Sequence, residues 1–233
     1  MKKILFIDSG SGGVNILAHC IKNKACGDFL YFADLKESPY GDKSKEEICN
    51  RVDEVLKEIR KFFDFEIVVF ACNTLTTSAI SFVREKYPDI IFIGTEPAIK
   101  PALVKFSNDE ILVMATNRTL ENLKVQGLSI PYLPSLIDSN LLNLEVLEKY
   151  VTSYLNDYKD KKAVVLGCTH YLAIESIIQK NFPHFTIFDS RDGVLKRLKT
   201  FVGEGDYKVQ FISSGIEDNS IIIKYFHNLI NIF

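Results

Sequence analysis

The chain has 233 residues, enough for one large domain or two small ones. Its 28 Lys and Arg nearly balance 30 Asp and Glu with no basic block, which argues against an electrostatic footprint for nucleic acid or an anionic membrane. No stretch approaches the roughly 18–20 continuous apolar residues of a membrane helix, and the five cysteines, without a CxxC pair, suit neither a disulfide framework nor a structural zinc site.

Met1-Lys2-Lys3 ahead of Ile4-Leu5-Phe6-Ile7 looks like the start of a secretory leader. Asp8 closes that run well short of the roughly 7–15 apolar residues a leader needs, so a cytoplasmic protein is expected. Lys3 to Ile7 reads instead as a buried parallel strand closed by a glycine-rich turn. The turn, Asp8-Ser9-Gly10-Ser11-Gly12-Gly13, leads into a helix from about Val14 to Lys22. Such a loop puts N–H groups at a helix N-terminus, which suits an anion. It has no Lys-Ser/Thr ending, and Asn15 stands where a dinucleotide fingerprint has its third glycine, so the nucleotide signal is weak.

A second strand is expected over Phe29 to Ala33, then a turn at Ser38-Pro39-Tyr40-Gly41. Ser44 with Glu47 forms a capping-box pair that opens a helix to about Phe63. A strand from Ile67 to Phe70 delivers Cys72, followed by a helix over 75–86, a strand over 90–93 and the loop Gly94-Thr95-Glu96-Pro97. The second half restarts with Ile111 to Met114, whose end, Ala115-Thr116-Asn117-Arg118-Thr119, is placed like the Asp8 turn of the first half. A helix, the stretch Ile130 to Asp138 and a helix from about Leu144 to Asn156 precede the strand Ala163 to Leu166, which delivers Cys168. A strand over 185–188, a helix after Asp189-Ser190, a strand over Val209 to Ile212 and an amphipathic helix from about Asp218 to Phe233 complete the chain.

Strands alternating with helices predict an α/β fold with parallel sheets. The unit strand, cysteine, helix, strand occurs twice. Two similar parallel-sheet α/β domains related by a pseudo-two-fold axis are expected, one over 1–97 plus 208–233 and one over 98–207, with the active site between them. Ligands of open parallel sheets bind beyond the carboxyl ends of the strands, where Cys72 and Cys168 both fall. Two thiols facing one carbon from opposite sides can remove a proton on one face and return one on the other. A helix N-terminus after each cysteine would favour the thiolate. His170 is placed to serve Cys168, and Asp8 to serve Cys72. The plainer readings are a buried apolar role for a cysteine at a strand end, a helix cap for Asp8 and packing for Tyr40. Cys20, Cys26 and Cys49 lack polar companions and read as structural.

The stretches Phe6-Ile7-Asp8-Ser9-Gly10-Ser11-Gly12-Gly13, Pro39-Tyr40-Gly41-Asp42-Lys43-Ser44, Ala71-Cys72-Asn73-Thr74, Gly94-Thr95-Glu96-Pro97, Ala115-Thr116 with Thr119, Gly167-Cys168-Thr169-His170-Tyr171 and Asp189-Ser190 together resemble the glutamate racemase family, within the cofactor-independent aspartate/glutamate racemases. The resemblance implies an isomerase that interconverts L- and D-glutamate without pyridoxal phosphate or metal, supplies D-glutamate for peptidoglycan and forms a homodimer. It implies Cys72 as the acid/base on the D-enantiomer and Cys168 on the L-enantiomer, assisted by Asp8 and His170. Substrate contacts would come from Asp8, Ser9, Tyr40, Gly41, Asn73, Thr74, Thr119, Thr169 and His170. The family usually has Pro-Leu-Val-Glu, whose glutamate supports the histidine, where Ser135-Leu136-Ile137-Asp138 stands here, and a small residue in many members where Arg118 stands. The alternatives are a racemase of aspartate or another acidic substrate, and a non-catalytic protein that binds acidic amino acids.

Overall fold

Strand β1 (Lys3–Asp8) is apolar along its length because both of its faces are covered. Ile4 and Phe6 enter one core while Leu5 and Ile7 enter another. The computed structural model describes residues 1–215 and 218–231. After β1 come α1 (Val14–Lys22), β2 (Gly27–Ala33), α2 (Lys45–Arg60), β3 (Ile67–Phe70), α3 (Asn73–Lys86), β4 (Ile91–Gly94) and α4 (Ile99–Leu103). There follow β5 (Ile111–Met114), α5 (Asn117–Leu123), α6 (Leu133–Ser139), α7 (Glu148–Leu155), β6 (Ala163–Leu166), α8 (Glu175–Asn181), β7 (Thr186–Phe188), α9 (Arg191–Lys199), β8 (Tyr207–Ser213) and α10 (Ser220–Ile230).

Among the described residues the strands form two parallel sheets, in the orders β4-β3-β1-β2-β8 and β5-β6-β7. The strand that delivers a cysteine, β3 or β6, is the middle one of an equivalent trio in each sheet, β1-β3-β4 and β5-β6-β7. The late strand β8 returns to pair with β2 of the first sheet. On one face of that sheet lie α2 and α3, with Ile48, Val52, Leu56, Leu75 and Val83 in the core. The other face shares a single core with the second sheet, in which Phe6 and Val69 belong to the same cluster as Met114 and Leu166. A smaller core holds Ala102, Val113 and Val165.

The expected elements are present with shifted ends. The capping box of Ser44 and Glu47 opens α2, which stops at Arg60 rather than Phe63. Helix α3 starts at Asn73, two positions before the expected start, because Cys72 itself acts as its N-cap. The expected Ser38–Gly41 turn follows one short 3-10 turn, Leu35–Glu37, and runs into another, Tyr40–Asp42. The helix expected from Leu144 begins as a 3-10 turn, Leu144–Leu147, before α7. Of the expected tail helix, positions 232 and 233 lie outside the described residues.

One core joining both sheets predicts one cooperative unfolding transition. Leu166, 1% exposed, lies in that core. Leu166→Ala is expected to cost about 2–5 kcal/mol and to move the single urea transition, read by circular dichroism, to lower urea without splitting it.

Candidate active site

The glycine loop after β1 is anchored to its own strand and to the second half of the molecule. Asp8, fully buried, accepts the Gly13 N–H at Oδ2 (2.7 Å), while the N-cap of α1 is Gly13 itself, with no side-chain cap. The Tyr31 hydroxyl donates to the Gly10 carbonyl at 2.8 Å and lies 3.3 Å from Asp8 Oδ2. The Ser11 N–H and hydroxyl both donate to Oδ1 of Asp138 in α6, the N–H at 3.1 Å. The anions that meet these loop N–H groups are therefore carboxylates of the protein itself. All three glycines of the loop leave no room for a side chain; a Cβ on Gly13 would lie 2.6 Å from Ala71 Cβ. A Cβ on Gly10 would lie 2.5 Å from Asp138 Oδ2 and 2.7 Å from His170 Nε2. A Cβ on Gly12 would lie 2.4 Å from the His170 backbone nitrogen.

Cys72 sits between β3 and α3, 5% exposed. Its Sγ accepts the Leu75 N–H at 3.4 Å and lies 3.9 Å from the Ser9 hydroxyl. Burial raises its thiol above the ordinary range, and the Asp8 charge adds to the rise, as does that of Cys168. Asp8 is also held above the usual carboxylate range, by burial first, with the His170 charge opposing.

Cys168, 6% exposed, follows β6. The expected α-helical N-terminus is not there. Thr169–Ile174 forms a 3-10 segment and the thiol caps nothing, because the tight turn carries the chain across the glycine loop before α8 begins. Its partner is His170, whose Nδ1 lies 3.8 Å from Sγ. The other ring nitrogen, Nε2, lies 3.2 Å from Asp138 Oδ2. Asp138, although shorter than a glutamate, does reach the histidine. Burial disfavours the imidazolium, but the Asp138 carboxylate outweighs it, and His170 is held well above its ordinary value. Asp138 is held below its own, because His170 and Ser11 overcome the cost of burial.

Between the thiols the two halves meet through hydroxyls. Thr74 of α3 contacts Thr116 at 2.9 Å and Thr119 at 3.1 Å, and Thr116 contacts Thr119 at 3.0 Å. Asn73 donates to the Thr95 carbonyl at 2.8 Å. Asp8 Oδ1, Asn73 Oδ1 and Thr169 Oγ1 are buried without a hydrogen-bond partner in the protein. Each belongs to a residue beside, or acting on, one of the thiols. Orphaned polar atoms in such a place suit a polar ligand. The Tyr40 phenol is turned elsewhere. It donates at 2.6 Å to the buried Asp34, which Arg51 clasps at 2.7 Å through Nε and NH2 and Ser214 at 2.6 Å. Tyr40 therefore anchors its loop, and Gly41 lies against the Thr116 side chain. Arg118 ties the halves at their rim, donating through Nε to the Lys43 carbonyl at 2.8 Å and pairing with Glu121. Beside this rim is a cavity of about 330 Å³ lined by Pro39, Gly41, Thr116, Ser135 and Tyr171. Neither thiol lines this cavity or the larger one, about 890 Å³, between the ends of β4 and β7.

The structure thus gathers Asp8, Ser9, Cys72, Cys168 and His170 with Asn73, Thr74, Thr119 and Thr169. Tyr31, Ser11, Thr116 and Asp138 belong to the same constellation and were not singled out as site residues. Ser11 and Thr116 lie inside stretches that carry the family resemblance, and Asp138 stands where the family carries glutamate. Nothing in the local sequence pairs Tyr31 with Asp8 across neighbouring strands.

The fold is α/β, with two parallel sheets and a buried thiol just beyond the cysteine-bearing strand of each. A glutamate racemase of Clostridium acetobutylicum is 35% identical over 208 residues, spanning 83% of this chain and 81% of that protein. One of Leptospira borgpetersenii is 36% identical over 211 residues, 84% of this chain and 80% of that protein. The chain belongs to the glutamate racemase family. A crystal structure of a glutamate racemase isoform from Bacillus anthracis matches with a TM-score of 0.81 over 98% of this chain and 92% of that one, a likeness of fold at 23% identity. No protein-family model matches the chain. No helix among the described residues is long and apolar enough to cross a membrane.

Two outcomes follow from this geometry. Gly12→Ala forces the glycine loop off the Thr169–His170 backbone and is expected to lower turnover roughly a hundredfold, with the circular dichroism of the folded protein kept. The His170–Asp138 pair makes a pH-dependent contribution to stability. It is full between the unfolded carboxylate and imidazole values, about 3.9 and 6.5. It is lost as pH falls through the depressed Asp138 value and as pH rises through the raised His170 value. The stability difference between the protein and Asp138→Asn should therefore peak at mildly acid pH and shrink on both sides, measured by urea denaturation across pH.

Proposed function

We propose that the protein interconverts L- and D-glutamate by proton transfer at Cα between Cys72 and Cys168, without pyridoxal phosphate or a metal. The observation that carries this reading is the pair of buried thiols on equivalent strands of the two sheets, each with its own acid–base neighbour. With L-glutamate bound, the Cys168 thiolate takes the Cα proton, and the electron pair of the broken C–H bond delocalises into the α-carboxylate. The Cys72 thiol then gives its proton to the opposite face. Cys168 ends as thiol and Cys72 as thiolate, the state that D-glutamate needs for the reverse reaction. His170 moderates charge at Cys168, and Asp8 does so at Cys72. A Cys72 thiol raised by burial ionises more readily when a cation settles beside it, and the α-ammonium of an amino acid brings one.

In this reading the substrate carboxylates and ammonium are held by Asp8, Ser9, Asn73, Thr74, Thr119 and Thr169, with the backbone at Tyr40 and Gly41. The orphaned oxygens of Asp8 and Asn73 are acceptors for an ammonium, and the Thr169 hydroxyl is a donor for a carboxylate. The division into 1–97 plus 208–233 and 98–207, the cytoplasmic placement, the homodimer and the supply of D-glutamate to peptidoglycan belong to the same reading.

Cys72→Ser and Cys168→Ser are each expected to lower racemisation by roughly 10²–10⁴-fold or more. Wild-type protein given L- or D-glutamate in D₂O without cofactor should yield inverted product carrying one solvent deuteron at Cα, read by optical rotation and mass. A fully active single mutant, or inversion without deuterium, would end the two-thiol reading.

A further inference from the structure

A histidine that moderates a thiol must hold its ring at a fixed angle, and Asp138 is poorly placed to do this alone. It stands near the end of the short helix α6, and its side chain keeps 20% of its exposure. Its Oδ2 reaches His170 Nε2 at 3.2 Å while Oδ1 takes both donors of Ser11, the N–H and the hydroxyl. Ser11 is 2% exposed and lies in the glycine loop of the first half, across the junction from α6. That loop is itself fixed by the Tyr31 hydroxyl on the Gly10 carbonyl and by the Gly13 N–H on Asp8. A carboxylate held at one oxygen and used at the other has a defined plane, which a single contact does not give it.

We propose that Ser11 is a positioning residue for the acid–base chemistry, its hydroxyl setting Asp138 and, through Asp138, the imidazole that faces Cys168. This deepens the racemase reading and rests on it. Ser11 meets Asp138 only where the glycine loop lies against the Thr169–His170 backbone, so the Cys168 half of the site is completed by a loop that belongs to the Cys72 half. The groups facing His170 are Asp138 from α6, Asp8 from β1, Cys168 from its own segment and Tyr225 from α10. Of these, Ser11 donates to Asp138 alone.

The test combines Ser11→Ala, Asp138→Glu and the double variant. It reads kcat, KM and the His170 titration midpoint by NMR. Ser11→Ala removes one oxygen and leaves the backbone donor. The expected result is a fall in kcat of roughly tenfold to a hundredfold with KM little changed, together with a lower His170 midpoint. In the Asp138→Glu background the longer acid reaches the ring without the loop, so the same substitution should cost less than about threefold, well under one positioning contact. Wild-type kcat and an unmoved His170 midpoint in Ser11→Ala would overturn the proposal, as would an equal loss in both backgrounds. The titration needs no substrate. A wild-type protein inactive on glutamate whose His170 midpoint still falls in Ser11→Ala would end the racemase reading and leave the positioning role standing.

Discussion

The backbone of Gly12 lies against that of Thr169 and His170, closer than any side chain would permit. This contact fixes the distance between the two sheets at the level of the chemistry. It brings the loop after β1 under the segment after β6, so that residues 8–13 and 168–170 form one surface although about 160 positions separate them. Ser11 reaches Asp138, and Gly10 clears the Asp138–His170 pair, only because the loop carries no side chain at those points. The shared apolar core behind the loop holds this approach in place.

The two thiols come from equivalent strands but do not have equivalent surroundings. Cys72 is an N-cap, held by a backbone N–H and raised by its burial, with the Asp8 charge adding to the rise. Cys168 caps nothing and faces an imidazole whose charge is sustained by Asp138. One thiol therefore sits in a negative neighbourhood and the other beside a positive group. A reaction that needs one base and one acid at a time would be served by that difference, and the attraction between the Asp8 and His170 charges couples the two sides.

Around this centre the polar contacts between the halves are short and mostly uncharged. The threonine trio and the amide of Asn122 on Thr77 and Ser78 join α3 to α5, and Arg118 closes the rim on the Lys43 carbonyl. Hydroxyls and amides can exchange one partner for another at little cost. A ligand can take their place without leaving a buried charge unpaired. The charged Asp34–Arg51–Tyr40 network lies instead inside the first half, where it stiffens the loop that ends at Gly41.

Much of the fold was legible in the sequence because each strand covered on both faces leaves a continuous apolar run, and each such run is closed by a distinctive turn. β1, α1, β3, β5 and β6 fall where the pattern places them, and the repeated cysteine unit marks the middle strand of an equivalent trio in each sheet. Asp8, Cys72, Cys168 and His170 stood out because each lies at the end of a strand or a few residues beyond one. What only the tertiary structure decided is which groups meet across the junction. A carboxylate on α6 carries no local sign that it will find both a serine hydroxyl and an imidazole, and Tyr31 reads as a core aromatic until β2 lies beside β1. The segment after Cys168 could not be told from an α-helix by its residues. Its 3-10 path is set by the glycine loop pressed against it. Local pattern records what a residue does for its own element, whereas the site is made by contacts between elements, which exist only once the core has closed.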